Sequence, residues 1–336
     1  MGSQVSHKTR NLIIAVLPIL AGLICLGIGR YSVSIQETIR ILFSGITGYE
    51  PDPTAYTVIF NVRLPRILLA VLVGAGLSCS GAAFQGLFSN PLATPDTLGV
   101  ASGASFGAVL GLLMHGNLVT VQLLALLFGV ISCFITYSIS RRNGKSSIVM
   151  IVLAGMVISA IFEALVSLMK YVADPEEELP TITYWLMGSL SAASFAALRL
   201  GAPAILLSCV VLLLLRWKLN LLPLSDDEAR TFGTNIHRLR GLCIVCCAAM
   251  TASCVAMCGQ VVWVGLLVPH VCRMIFGSSH ARLLPAAISC GAVFMMVVDT
   301  LARTISAAEI PVSILTAIIG APIFITIVRK KGGWSL

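Results

Sequence analysis

The sequence predicts an all-α polytopic membrane protein of about ten transmembrane helices, with both termini cytoplasmic. Three observations carry this. Of 336 residues, 57% are hydrophobic and only 11% charged, and the mean hydropathy is +0.97, whereas a soluble domain carries roughly 25% charged residues. The apolar residues form long runs without period-2 alternation, which favours spanning helices over an outer-membrane barrel. The basic residues fall unevenly between alternate connections, as cytoplasmic retention of short basic loops requires.

A bilayer is crossed by roughly 20 apolar residues in helical form, and such runs lie at 12–28, 63–84, 96–114, 118–139, 148–169, 195–215, 241–258, 261–276, 285–303 and 312–328. Lys8 and Arg10 precede the first run as in a signal peptide, but no soluble domain follows, so it counts as a span. The second run repeats small residues at Gly74, Ser78, Ala82 and Gly86, and the third at Gly99, Gly103, Gly107 and Gly111. Small residues four apart share one helix face and let a neighbouring backbone approach closely. Arg141, Arg142 and Lys145 separate the fourth and fifth runs, and the acidic stretch Asp174, Glu176, Glu177 and Glu178 precedes the sixth. A long connection at 216–240 precedes the seventh, the eighth is short, and the tenth ends before Arg329, Lys330 and Lys331. The expectation is one transmembrane domain over 1–336, with 216–240 as a cytoplasmic loop within it.

With the amino end inside, fifteen of the 22 basic residues lie on the inner side, leaving Arg30, Arg40, Arg63, Arg66, Lys170, Arg199 and Arg303 outside. The net charge of +8 therefore reports topology, and nothing in its distribution marks a nucleic-acid-binding patch. In the inner loop, Leu221, Leu222 and Leu224 precede Asp226, Asp227 and Glu228. Acids in a first turn and Gly233 near the end fit a short helix beginning near Ser225, read as a docking element for a cytoplasmic partner. The outer connection 29–62 is amphipathic between Glu37 and Phe43 and is expected to rest at the interface.

Several motifs are decoys. Gly144, Lys145 and Ser146 resemble the end of a phosphate-binding loop, but that motif needs glycine where Ile139 stands. Cys243, Cys246, Cys247, Cys254 and Cys258 lie within an apolar run, where cysteine acts as a small hydrophobe. His270, Cys272 and His280 match no common metal-ligand spacing. Glu163 and Asp299 are the acids assigned to the membrane interior, where an unpaired ion costs several kcal/mol. Asp299 has Arg303 four residues on as a partner, and Glu163 is expected to snorkel or to face a water-filled cavity.

The stretches RLPRILLAVLVGAGLSCSGAAFQGLFSNPLATPDTLGVASGASFGA at 63–108, ADPEEELPTITYWLMGSLS at 173–191, VGLLVPHVCRMIFGSSHARLLP at 264–285, DTLAR at 299–303 and GAPIFITIVRKK at 320–331 resemble the membrane permease of the iron-siderophore, haem and vitamin B12 ABC importers, the type II importer fold. The resemblance runs over nearly the whole chain from Tyr31. It implies a second permease subunit, identical or related, two cytoplasmic ATPase subunits that bind ATP and Mg, and an extracytoplasmic binding protein, with no cofactor and no catalytic site in this chain. It further implies an iron chelate as cargo, with haem, vitamin B12 or molybdate as alternatives within the family, and residence in the inner membrane of a prokaryote. By position, Arg63, Arg66 and Arg303 match outer-mouth arginines that dock the binding protein. Leu224, Asp226, Glu228, Ala229, Arg230 and Gly233 match the segment that receives the ATPase, and Ser147, Gly155, Met156 and Ser159 match pathway or gate positions. An ion-coupled secondary transporter is the alternative from another class, and the role of Glu163 stays open.

Overall fold

The computed structural model describes residues 7–142, 145, 146, 148–224 and 226–330, and these form helices almost throughout. In chain order they are α1 (His7–Gly27), α2 (Ile35–Leu42), α3 (Ser44–Thr47), α4 (Pro53–Thr57), α5 (Leu64–Leu87), α6 (Val100–Leu113), α7 (Leu118–Ser140), α8 (Ile148–Val172), α9 (Glu178–Leu186), α10 (Phe195–Leu215), α11 (Asp226–Thr231), α12 (Ile236–Cys258), α13 (Val264–Phe276), α14 (His280–Ile305) and α15 (Val312–Lys330). A two-residue antiparallel pairing, Arg141–Arg142 with Lys145–Ser146, joins α7 to α8.

Ten of these helices, α1, α5, α6, α7, α8, α10, α12, α13, α14 and α15, fall on the ten apolar runs. An even number of crossings returns the chain to its starting side. Six stretches are long and apolar enough to span alone, while the apolar parts of α1, α6, α13 and α15 are shorter. At 1.5 Å per residue, α6 and α13 reach only about 20 Å against a hydrocarbon core of about 30 Å. Irregular backbone on either side of them makes up the distance.

The second span differs from expectation at its outer end. Instead of starting at 63, the helix runs without a break from Pro53 to Leu87. Asp52 caps it by accepting a hydrogen bond from the Ala55 amide at 2.9 Å, with Pro53 in the first turn. Pro65 lacks the amide that would bond back to Asn61, and a π-helical stretch at Val58–Arg63 takes up the misfit. Pro53, Thr54, Thr57 and Asn61 interrupt the apolar pattern, so hydropathy alone does not reveal the helix start.

α5 is the central element, buried along most of its length. A side chain at Gly74 would collide with the Gly291 carbonyl of α14, and one at Gly81 with the Gly265 carbonyl of α13. The small-residue stripe from Gly74 to Gly86 therefore lets α14 approach backbone to backbone. Likewise Gly103, Gly107 and Gly111 face Ser132, Leu124 and Val121 of α7. Lipid tails are as apolar as the helices, so this close fit, rather than hydrophobic burial, holds the bundle together.

Substituting Gly81→Leu is expected to lower the thermal midpoint of the detergent-solubilised protein by several degrees, in line with an overpacking cost of about 1–3 kcal/mol. Gly45→Ala, at a site with no neighbouring atom within 4 Å, serves as the neutral control. Equal midpoints for the two variants would contradict the packing assigned to α5 and α13.

Candidate functional site

Two irregular segments define the middle of the membrane domain. The first, residues 88–99, leaves α5 and makes a 3-10 turn at Pro95–Leu98 that ends in Gly99 with φ of 72°. Thr97 packs on Gly155, in the inner half of α8, so this segment re-enters the bilayer rather than lying at its surface. Backbone at such depth must find internal partners. Ser132 and Thr136 of α7 supply them, donating hydroxyl bonds to the Leu98 carbonyl at 3.4 and 3.1 Å, and Ser132 donates to the Gly99 carbonyl at 2.5 Å. The second segment, 259–263, joins α12 to α13 between Gly259 and Trp263, both with φ of 73°. Gln260 Nε2 donates to Ser105 Oγ in the middle of α6 at 2.8 Å.

Between these segments lies a cavity of about 190 Å³, lined by Thr94 and Asp96 from the first, Gln260 to Trp263 from the second, Ser102 of α6, Glu163 of α8, and Leu77, Thr251 and Val255 of α5 and α12. Leu77, Glu163 and Thr251 each sit near the middle of their helices, which places the cavity at mid-membrane. Glu163 Oε1 accepts a hydrogen bond from Ser102 Oγ at 3.3 Å. Two carboxylates, an amide and hydroxyls thus face one small space ringed by apolar helices.

The outer ends of α5 and α14 hold a second polar cluster. Arg66 Nε donates to both Asp299 oxygens, at 2.8 and 3.1 Å, and its Nη1 to both Glu309 oxygens, at 2.9 and 3.0 Å. Arg303 stands 3.7 Å from Asp299 and donates to the Cys25 carbonyl at 2.6 Å. Arg63 donates to the carbonyls of Leu26, at 2.7 Å, and Tyr31. Arg63 and Arg303 therefore satisfy carbonyls that the end of α1 leaves open, while Arg66 bolts α5 to α14 and to the α14–α15 connection. Gly29 sits against both guanidiniums, where a side chain would have no room.

Arg63, Arg66 and Arg303, which the resemblance matches to docking positions at the outer mouth, are 4%, 8% and 9% exposed, and each donates hydrogen bonds within the chain. Sequence cannot register such burial, because a guanidinium at a helix end reads the same whether its carboxylate partner is within the chain or on another protein. Gly155 and Ser159 pack on the 97–99 segment, Met156 points outward, and Ser147 lies outside the described residues. From α8 it is Glu163 that reaches the cavity. Asp96, Ser102 and Gln260 carry no sequence signal as cavity residues, although the paired prolines of NPLATPDT mark backbone that cannot continue a helix.

The inner segment forms α11, with Gly233 following it at φ of 67°. Ala229 is fully buried, so it anchors the segment instead of facing a partner, while Glu228 is exposed and Leu224 half-buried. Arg240 of α12 donates to the carbonyls of Leu222 and Leu224 at 3.3 and 3.5 Å. The backbone of Asp226 and Arg230 lies in α11, their side chains and Ser225 lying outside the described residues.

The fold is matched by known proteins. The sequence pattern of the FecCD transport family matches residues 16–330. The chain belongs to that family. It is 43% identical to the molybdate import system permease protein MolB of Haemophilus influenzae, over 95% of this chain and 96% of that protein. It is 33% identical to a probable iron chelatin transport system permease protein of Helicobacter pylori, over 95% and 98% respectively. Its fold matches a solved inward-facing metal-chelate type ABC transporter with a TM-score of 0.88 at 41% identity, covering 96% of this chain and all of that one. The family is that of ABC importer permeases for iron chelates, haem and vitamin B12, in agreement with the sequence resemblance.

Asp299→Ala leaves Arg303 without a carboxylate and Arg66 with one, deep in the domain. Breaking a buried pair costs about 3–5 kcal/mol, so the detergent-solubilised variant is expected to melt well below the parent. Glu309→Ala, whose side chain is 28% exposed, is expected to cost less. A full-strength midpoint for Asp299→Ala would show that the cluster does not hold α5 to α14.

Proposed function

We propose that the chain is the membrane-spanning subunit of an ATP-driven importer in a prokaryotic cell membrane. In this reading it pairs with a second permease, two cytoplasmic ATPase subunits that carry ATP and Mg, and an extracytoplasmic binding protein that delivers the cargo. The observation that carries the proposal is the polar cavity at mid-membrane, bounded by backbone segments that are not helical. Irregular backbone at that depth is tolerated where it is buried in protein or lines a passage.

Transport then proceeds by alternating access. Closure of the ATPase subunits on nucleotide moves α11, and Arg240 and Ala229 carry that movement into α12, whose middle residues Thr251 and Val255 form part of the cavity wall. The driving force is the difference in nucleotide affinity between the two states, since a ligand shifts an equilibrium only by that difference. No catalytic role falls to the permease itself.

For the cargo, the leading reading is an iron chelate. It is supported by the iron-chelatin relative. A second reading, molybdate, is supported by the 43% identity to MolB.

Proteoliposomes carrying the permease with its ATPase, loaded with ATP and offered the binding protein with radiolabelled ferric chelate or molybdate, discriminate these. Accumulation of the ferric chelate only with internal ATP is expected, accumulation of molybdate instead selects the second reading, and uptake without ATP contradicts both. In the same vesicles, replacing residues 225–235 by a flexible linker is expected to leave ATP hydrolysis running while uptake stops. Unimpaired uptake would remove α11 from the coupling path.

A further inference from the structure

Away from the cavity, a groove of about 300 Å³ opens between α7 and α12, and its lining is wholly apolar. Phe134 and Tyr137 form one wall, Val245, Ala248 and Ala249 the other, and Gly241 leaves the inner end open, with no atom within 4 Å of where a side chain would begin. α7 ends at Ser140 and α12 begins at Ile236, both on the inner side. At 1.5 Å per residue the groove therefore lies within about 5–20 Å of the inner helix ends. That is the depth of one leaflet of a hydrocarbon core of about 30 Å.

The inner ends of these two helices are cationic. Arg141 and Arg142 follow α7 directly, the backbone of Lys145 pairs with that of Arg142, and Arg238 stands exposed in the first turn of α12. No acidic residue occurs in 130–149 or 235–250. An apolar slot of leaflet depth with positive charge at its cytoplasmic mouth is complementary to one kind of molecule. Basic sites between transmembrane helices on the cytoplasmic side select anionic headgroups.

We infer that this groove holds an acyl chain of an anionic phospholipid of the inner leaflet, with the lipid phosphate held at the inner ends of α7 and α12. The lipid would brace α12, which links α11 to the cavity. Neutral lipid has the same tails, so selectivity rests on the headgroup and occupancy on the groove.

Native mass spectrometry of the purified full chain, equilibrated with equimolar phosphatidylglycerol and phosphatidylcholine, tests this. The parent is expected to retain phosphatidylglycerol preferentially. Gly241→Leu, which fills open space without displacing a neighbour, is expected to lose most of the retained lipid. Arg238→Glu is expected to lose the headgroup preference by about fivefold or more. Equal retention of the two lipids by the parent, or undiminished retention by Gly241→Leu, would overturn the assignment. Conversion of dimers to monomers by Gly241→Leu, with lipid retention unchanged, would make the groove a contact between copies and overturn it as well.

Discussion

The backbone of this membrane domain works under one constraint: at bilayer depth each amide and carbonyl must find a partner inside the protein. The segment at 94–99 meets it through Ser132 and Thr136, which reach across from α7 to the carbonyls of Leu98 and Gly99. Without those two hydroxyls the buried Leu98 carbonyl would lose its side-chain partners. With them, a stretch of irregular chain can stand beside Glu163 and Gln260 and shape a polar cavity. Two short helices and two irregular segments therefore belong to one design, in which helix length is given up beside the cavity.

The same constraint explains the arginines. Arg63 and Arg303 fill the open carbonyls at the end of α1, and Arg66 joins Asp299 to Glu309 across two elements. A buried ion pair adds little net stability against a well-packed apolar replacement, but it fixes which groups lie opposite one another. Here it ties α5 to α14, two helices that also meet backbone to backbone at Gly74 and Gly291. At the opposite face, Arg240 does comparable work on the carbonyls of Leu222 and Leu224, tying the inner loop to α12. The cavity lies between an outer face locked by ions and an inner face fastened to a single helix, so movement at α11 has a short route to it.

The ten spans were legible because hydropathy and length are properties of one run at a time. The stripes at Gly74–Gly86 and Gly99–Gly111 were legible as close-packing faces, though not which helix each would meet. Burial of Arg63, Arg66 and Arg303 was hidden because it depends on Glu309 and on the end of α1, far away in sequence. Asp96 was hidden for a different reason: it falls at the start of an apolar run, and contacts from α7 and α8 hold its segment at depth. Gly155 and Ser159 face the 97–99 segment, a rotation that periodicity cannot fix when nearly every position of α8 is apolar.

The central claim is that the space beside Asp96 and Glu163 is the transport path and changes its exposure with the nucleotide state. The most direct measurement is labelling of an Asp96→Cys variant by a membrane-impermeant thiol reagent, in a background where the eleven native cysteines are replaced and the ATPase partner is present. The account predicts that the side from which the reagent reaches this position reverses between the nucleotide-free and ATP-bound states. Protection from both sides in both states, or labelling indifferent to nucleotide, would contradict it.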